Sequence, residues 1–87
     1  MAWAIEFDPD AAKQFKKLDG SVQRTIFKYL KNVESDPLSC GYWLRSELSG
    51  LRKYKIAKHW RVVASIERER ITVLIVKVGH RSTVYDE

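Results

Sequence analysis

Three strand-like runs fill residues 51–78 and constrain the fold more than any other feature of this sequence. Residues 51–57, 60–66 and 71–78 are rich in β-branched and aromatic side chains, and only short turns separate them. Runs joined by turns this short predict consecutive antiparallel strands, with residues 67–70 as a tight hairpin. The last run, ITVLIVKV, is apolar at both alternating positions, which is typical of a central strand covered on both faces.

The N-terminus predicts one more strand and a short helix. Trp3, Ile5 and Phe7 show the two-residue period of a strand with one buried face. Asp8 and Pro9 then match the N-cap and the first position of a helix. We expect this helix to end at residues 19–20, where Asp-Gly supplies a stop. Its buried stripe would consist of Ala11, Phe15 and Leu18.

A second amphipathic helix is predicted from Ser21, a residue type that caps helix N-termini, to residues 35–36. Pro37 sets this end, because proline disfavours helical geometry in the residue before it. The buried face carries apolar residues at near-helical spacing, namely Val22, Ile26, Leu30 and Val33.

Together these elements predict an α+β fold with the order β-α-α-β-β-β, in which an antiparallel sheet carries the two N-terminal helices on one face. A chain of 87 residues has too little interior for two cores. Since no repeat, linker or low-complexity segment divides the sequence, we expect residues 1–87 to form a single domain.

Composition limits the partners and the chemistry. A net charge of +5 at pH 7 favours a polyanionic or acidic partner. Cys40 is the one cysteine, and the sequence has no glycine-rich phosphate loop, paired-histidine metal motif or nucleophile elbow, so we expect no metal and no other cofactor. No run reaches the roughly 18 apolar residues of a membrane span, and acidic residues stand where a signal peptide would be apolar. We therefore expect a cytoplasmic protein.

Titratable side chains concentrate in and just beyond the three C-terminal strands. Like charges on neighbouring strands repel one another, so a sheet usually alternates signs unless an anion binds there. Lys53 and Lys58 also suit solvated edge or turn positions that discourage aggregation. The whole set is Lys53, Lys55, Lys58, His59, Arg61, Lys77, His80, Arg81 and Tyr85.

The turn after the first of these strands decides whether two of the cations meet. A two-residue turn at residues 58–59 would pair Ala57 with Trp60 and put Lys55 and Arg61 on opposite faces. A three-residue loop at residues 57–59 would instead pair Lys55 with Arg61 on one face. The sequence leaves both registers open, and an anion-binding site needs the second one or an equivalent bulge.

Two segments resemble the RelE branch of the RelE/ParE toxin superfamily. Residues 44–56, LRSELSGLRKYKI, together with WRVV at residues 60–63, resemble strand motifs of that family, and VGHRSTVY at residues 78–85 resembles its terminal glycine, basic pair and tyrosine. The resemblance implies a toxin of a type II toxin-antitoxin system that enters the ribosomal A site and cuts the mRNA there. It also implies a cognate antitoxin, made from the same operon, that holds the toxin inactive.

The resemblance further implies which residues carry the reaction. Lys55 matches a family lysine in the Tyr-Lys-Ile motif, and Arg61 matches the arginine that opens the next strand. Arg81 matches the arginine after the terminal Val-Gly, and Tyr85 matches the tyrosine near the C-terminus. His80 takes the place of a histidine that assists proton transfer in other members.

One position departs from the family pattern. Ala57 stands where some members carry a second lysine, so either Lys58 takes that role or the role is missing.

These residue types suit metal-independent RNA cleavage, in which the ribose 2′-OH attacks the phosphate and leaves a 2′,3′-cyclic product. The protein must supply a base, charge stabilisation at phosphorus and an acid for the leaving 5′ oxygen. Arg61 and Arg81 suit the phosphate, because arginine stays charged and presents a fixed fork of donors. Lys55 or Tyr85 would take the 2′-OH proton, and Arg81 or His80 would assist the leaving group.

Further cations would contact phosphates of the message or of ribosomal RNA, which position a protein without reading sequence. A solvated helix face explains those on the helices equally well. The candidates for RNA and ribosome binding are Lys53, Lys58, Lys13, Lys17, Arg24, Lys28 and Lys31.

Two other functions fit the same sequence. A ParE-like toxin would poison DNA gyrase by protein binding, on the same fold and without nuclease chemistry. A non-catalytic nucleic-acid-binding module would use Trp60, Tyr54 and the cations for stacking and phosphate contact. The joint presence of Lys55, Arg61, Arg81 and Tyr85 favours the nuclease, since a pure binder does not need that set.

Overall fold

The computed structural model describes residues 2–84, and the predicted element order is present with one additional short strand. That strand, β2 (Tyr42–Trp43), lies between the second predicted helix and the first C-terminal strand, where no element is predicted, and is followed by a 3-10 turn at Glu47–Ser49. The other predicted strands and helices are confirmed with small shifts at their ends. The elements are β1 (Ala4–Phe7), α1 (Pro9–Lys16), α2 (Gly20–Ser35), β2 (Tyr42–Trp43), β3 (Leu51–Ile56), β4 (Trp60–Glu67) and β5 (Thr72–His80).

The five strands form one sheet in the order β1-β5-β4-β3-β2. Strands β2 to β5 pair antiparallel, but β1 pairs parallel with β5. The sheet is therefore mixed, whereas the sequence predicts an antiparallel sheet. A parallel pair requires a long connection, which the two helices and the β2–β4 region provide between β1 and β5. The α+β class is confirmed, and β5, flanked by β1 and β4, has the interior position that its apolar run predicts.

The two helices pack on one face of the sheet, as predicted. Asp8 caps α1 by accepting a hydrogen bond from the Ala11 amide at 2.8 Å. The predicted boundary between the helices was wrong, since α1 ends at Lys16 and α2 begins at Gly20 with Asp19, not Ser21, at the N-cap. The Asp19 side chain makes no capping hydrogen bond, so side-chain capping does not set this start, and Gly20 is an ordinary helical residue that needs no left-handed conformation.

The core lies between the helices and the sheet. The stripe predicted for α2 is buried at Ile26, Leu30 and Val33, and Val22 is partly buried. These side chains and Ala11 pack against buried residues of the sheet, among them Tyr54, Ile56, Val62, Ala64, Val73 and Ile75. Among the described residues no helix is long and apolar enough to cross a membrane.

Two side chains of β3 fasten the segment before β2 to the sheet. The Tyr54 hydroxyl donates to the Pro37 carbonyl at 2.8 Å, and both residues are fully buried. The nearly buried Arg52 donates from Nε to the Cys40 carbonyl at 2.9 Å and lies 4.9 Å from the centroid of the Trp43 ring. Burial raises the pKa of Tyr54, and it raises the pKa of the neighbouring Tyr29 to about 12.

We predict that Tyr54→Phe lowers the free energy of unfolding by about 1–3 kcal/mol, because the buried Pro37 carbonyl loses its donor. Urea unfolding followed by circular dichroism measures this change. Leu48→Ala is the control, since Leu48 is 97% exposed and its truncation should leave the midpoint unchanged. An unchanged midpoint for Tyr54→Phe would show that the hydrogen bond does not stabilise the fold.

The raised tyrosine pKa values also predict alkaline destabilisation. A tyrosine of the unfolded chain loses its proton near pH 10, whereas Tyr29 in the folded protein does so near pH 12. The contribution of Tyr29 and Tyr54 to stability is therefore complete below about pH 10 and is lost as the pH rises towards 12 and beyond. Urea midpoints between pH 9 and 12 should fall less steeply in Tyr54→Phe than in the wild type.

Candidate active site

The β3–β4 hairpin turns through residues 57–59, so Lys55 lies directly opposite Arg61. Of the two registers that the sequence left open, the structure has the one that an anion-binding site requires. Ala57 takes a left-handed conformation, with φ of 54°, within this three-residue loop. Directly opposite residues of an antiparallel pair project to the same side of the sheet, so the two cations share a face.

That face is the one opposite the helices, and we call it the open face. Tyr54 and Ile56 project from β3 into the core, so the alternate residues of β3 project to the other side. Strand register extends this set across β4 and β5, because Lys53 lies opposite Val63 and Val63 opposite Lys77, while Arg61 lies opposite Gly79. The open face includes Lys53, Lys55, Arg61, Val63, Lys77 and Gly79.

Arg61 and Lys55 are each held by a neighbour. The Arg61 guanidinium donates from Nη1 to the carbonyl of Trp60 at 2.9 Å and to that of Lys58 at 3.3 Å. The Lys55 ammonium lies 5.4 Å from the centroid of the Tyr42 ring, a cation–π contact. Both cations are therefore oriented by the chain before any ligand is bound.

Gly79 leaves room for the C-terminal turn to fold onto the open face. A Cβ at this position would lie 3.0 Å from Thr83 Oγ1 and 3.2 Å from Val84 Cγ2. The turn is closed by the amides of Thr83 and Val84, which donate to the His80 carbonyl at 2.8 and 3.1 Å. Val84 is buried as a result.

Lys53 is not the solvated edge residue that we expected. Its side chain is only 2% exposed, and its ammonium donates to the Val84 carbonyl at 3.3 Å. Two features bury it: β2 pairs with β3, which is therefore no edge strand, and the C-terminal turn lies over it. An RNA phosphate could reach this ammonium only if the turn moved aside.

Arg81 and His80 lie differently with respect to the Lys55–Arg61 pair on the open face. The Arg81 amide donates to the His59 carbonyl at 2.6 Å, which ties the C-terminal turn to the β3–β4 loop, and the Arg81 side chain is exposed. His80 lies opposite Trp60, and Trp60 lies opposite the core residue Ile56. The structure therefore places His80 on the helix side of the sheet, away from Lys55 and Arg61. Tyr85 lies outside the described residues.

The remaining predicted RNA-binding residues fall into two groups. Lys58 is exposed in the loop beside Arg61. The others lie exposed on α1, at its C-cap or on α2, on the far side of the sheet from the open face, and they are Lys13, Lys17, Arg24, Lys28 and Lys31.

Sequence reasoning did not identify two contacts, that of Tyr42 with Lys55 and that of the His59 ring with His80, although His59 is among the titratable residues that the sequence singles out. Tyr42 reaches Lys55 only because a two-residue strand forms inside a loop, and His59 meets His80 only in the register that has a three-residue turn. Neither contact has a local sequence signal. Within residues 2–84, no cluster of three or more histidine, cysteine, aspartate or glutamate side chains is arranged to hold a metal ion.

We predict that Gly79→Ala loosens the C-terminal turn, because the added methyl group crowds Thr83 and Val84. Hydrogen exchange of the Thr83 and Val84 amides should become faster, while exchange in the core strands stays slow. Gly20→Ala is the matched control, since a Cβ there meets only the end of the flexible Arg24 side chain, at 3.4 Å. Unchanged exchange at both amides in Gly79→Ala would contradict the close packing described here.

Comparison with known proteins identifies the family. The family model described as the ParE toxin of the type II toxin-antitoxin system parDE matches residues 5–85. The mRNA interferase toxin RelE of Escherichia coli (strain K12) is 32% identical over 96 aligned positions, which cover 100% of this chain and 94% of RelE. The crystal structure of the isolated E. coli RelE toxin matches with a TM-score of 0.79 at 30% identity, over 97% of this chain and 92% of that one. The toxin-antitoxin complex RelBE2 of Mycobacterium tuberculosis contains a chain that matches with a TM-score of 0.82 at 26% identity, over 93% of this chain and 100% of that one.

These matches confirm the resemblance expected from the sequence. The chain belongs to the ParE toxin family of the RelE/ParE superfamily and is a RelE-type toxin of a type II toxin-antitoxin system.

Proposed function

We propose that this toxin is a ribosome-dependent, metal-independent endoribonuclease that cleaves mRNA in the A site by attack of the ribose 2′-OH. One observation carries the proposal: Lys55 lies directly opposite Arg61 on the open face, and Arg81 is tied by its amide to the loop that joins their strands. The name of the E. coli relative, an mRNA interferase, supports RNA as the substrate.

Arg61 and Arg81 stabilise the charge that develops on the phosphate. Arg61 uses Nη1 for the loop carbonyls, which leaves its Nε and Nη2 donors for a phosphate oxygen. Because the guanidinium is already oriented, little side-chain entropy is lost when the phosphate binds. Donors fixed in advance around a developing anion are typically the largest single contribution to such catalysis.

Proton transfer falls to the neighbouring groups. Lys55 or Tyr85 removes the proton of the 2′-OH, since both are residue types that act as general bases. Arg81 assists the leaving 5′ oxygen in preference to His80, because His80 projects to the helix side of the sheet. The products are a 2′,3′-cyclic phosphate and a free 5′-hydroxyl.

The distribution of the remaining cations supports ribosome dependence. The open face would receive the message, while the exposed cations of α1 and α2 lie on the opposite side of the sheet. A protein with positive charge on two opposite sides suits a position between two RNA surfaces. We therefore assign the helix cations and Lys58 to ribosomal RNA phosphates.

The proposed regulatory partner is a cognate antitoxin. Solved structures of related toxins include complexes with antitoxins from M. tuberculosis and E. coli. The net charge of +5 favours an acidic segment of such a partner. The gene that neighbours this toxin is expected to encode a short protein with a DNA-binding N-terminus and a tail that folds on this basic surface.

The test is cleavage of a message in a reconstituted translation reaction, read by primer extension with and without ribosomes. Arg61→Ala and Arg81→Ala should each slow cleavage on the order of 100-fold or more, because each removes a charge from the phosphate. Tyr85→Phe and Lys55→Met should identify the base by the larger loss. Arg68→Ala is the matched control, since Arg68 is an exposed arginine paired with Glu47 away from the open face.

Three outcomes would contradict the proposal. An intact message together with inhibited DNA gyrase would indicate the ParE-like alternative, and tight RNA binding without cleavage would indicate a binding module. Loss of cleavage on addition of EDTA, under conditions that keep the ribosomes intact, would indicate a metal-dependent reaction.

A further inference from the structure

The two histidines of the chain, His59 and His80, stack on each other where the β3–β4 loop meets the end of β5. Their ring centroids are 5.6 Å apart and their planes differ by 7°. Trp60 meets the His80 ring edge to face, with centroids 5.4 Å apart and an interplanar angle of 85°. The His80 ring is thus enclosed by one ring from the loop and one from β4.

His80 is also the residue about which the C-terminal turn is built. Its carbonyl accepts hydrogen bonds from the Thr83 amide, the Val84 amide and Thr83 Oγ1, the last at 2.9 Å. Its Nδ1 accepts the Ser82 amide at 3.1 Å and lies 2.8 Å from Ser82 Oγ. Every hydrogen bond that closes this turn in residues 80–84 therefore ends on His80.

The loop holds the same turn through its backbone. The Arg81 amide donates to the His59 carbonyl at 2.6 Å, which continues the ladder of pairs formed by Trp60 with His80 and Arg61 with Gly79. His59 thus contacts two consecutive residues of the turn, Arg81 through its carbonyl and His80 through its ring. The backbone of Arg81 is therefore tied to the loop, while its side chain is exposed.

We propose that His59 and His80 form a stacked clasp whose role is to position Arg81 for the cleavage reaction, so that both histidines are positioning residues. This inference rests on the proposed function. His59 is exposed in a turn, so the core does not require its ring. The His59 ring contacts His80. The stack therefore restrains the residue that accepts the hydrogen bonds of the C-terminal turn.

Loss of the stack should act on the rate and not on RNA binding. Without the ring of His59, the turn keeps its backbone bonds but gains freedom to tilt, and the Arg81 guanidinium is less often in place. Misplacement of a catalytic group by about 1 Å lowers the rate of an enzyme by about 10- to 100-fold. Affinity for the ribosome comes from the dispersed cations and should stay the same.

The experiment compares His59→Ala with His59→Phe, which restores a ring of similar shape without a titratable group. His59→Ala should lower kcat on the ribosome–message complex by about 10- to 100-fold at unchanged KM. His59→Phe should recover most of this loss. Glu69→Ala, an exposed substitution in the other hairpin turn of the sheet, is the control and should match the wild type.

A second readout does not depend on cleavage. The chain has two histidines, so its imidazole Cε1–H signals in a carbon-correlated proton NMR spectrum number two, and each is assigned by its loss in one variant. Spectra recorded at pH 8.5, above the ordinary titration range of imidazole, should show that His59→Ala moves the His80 signal. The Ser82, Thr83 and Val84 amides should exchange faster in His59→Ala and at the wild-type rate in His59→Phe.

The possible results distinguish failure of the clasp hypothesis from failure of the proposed function. A wild-type kcat in His59→Ala, or a Phe variant as slow as the Ala variant, overturns the clasp. If the wild type cleaves no RNA, the proposed function fails, and an unmoved His80 signal with unchanged exchange then overturns the clasp as well. Far-UV circular dichroism and the melting temperature show that each variant is folded before these comparisons are made.

Discussion

The register of the β3–β4 hairpin is the constraint on which the rest of this structure depends. The loop at residues 57–59 decides which side chains of β3 and β4 share a face, and a shift by one residue would send every side chain of a strand to the other side. In the observed register Tyr54 and Ile56 enter the core while Lys55 meets Arg61 on the open face. The same residues that stabilise the fold thus fix the geometry of the cations. The left-handed Ala57 occupies the position where a second family lysine would stand, so the turn and the departure from the family pattern coincide.

Cationic side chains in this protein have two separate roles. Arg52 and Lys53 are nearly buried, and each donates to carbonyls of its own chain, Arg52 to the segment before β2 and Lys53 to the C-terminal turn. A buried cation is tolerated only when such acceptors replace water, so these contacts hold the segment before β2 and the C-terminal turn against the sheet. Lys55, Arg61 and Arg81 instead belong to the cleavage site that we propose. Four adjacent residues of β3 (52–55) therefore comprise two structural cations, one core tyrosine and one candidate functional cation.

Sequence patterns predicted the element order, the helix stripes and the Asp8 cap, because these depend on neighbours within a few residues. They did not predict the parallel pairing of β1 with β5, since no turn joins those strands and their relative direction depends on the path of the intervening chain. The burial of Lys53 escaped prediction because it requires β2 and the C-terminal turn to meet over one residue. The approach of His59 to His80 needed the register that the sequence left undecided. Asp19 and Ser21 are both residue types that favour N-caps, and since Asp19 makes no side-chain cap hydrogen bond, the start of α2 has no local signal that separates them.

The parallel pair at the sheet edge also orders events during synthesis. β1 is made first, yet its partners are residues 72–75 of β5, so the loop that must close between them includes most of the chain. β4 likewise lacks one of its two neighbours until β5 has emerged. A chain still attached to the ribosome that makes it, with residues after 72 inside the exit tunnel, therefore has no complete sheet and no C-terminal turn. The open face, which includes Lys77 and Gly79 of β5, is therefore completed only after both helices and the β3–β4 hairpin have emerged.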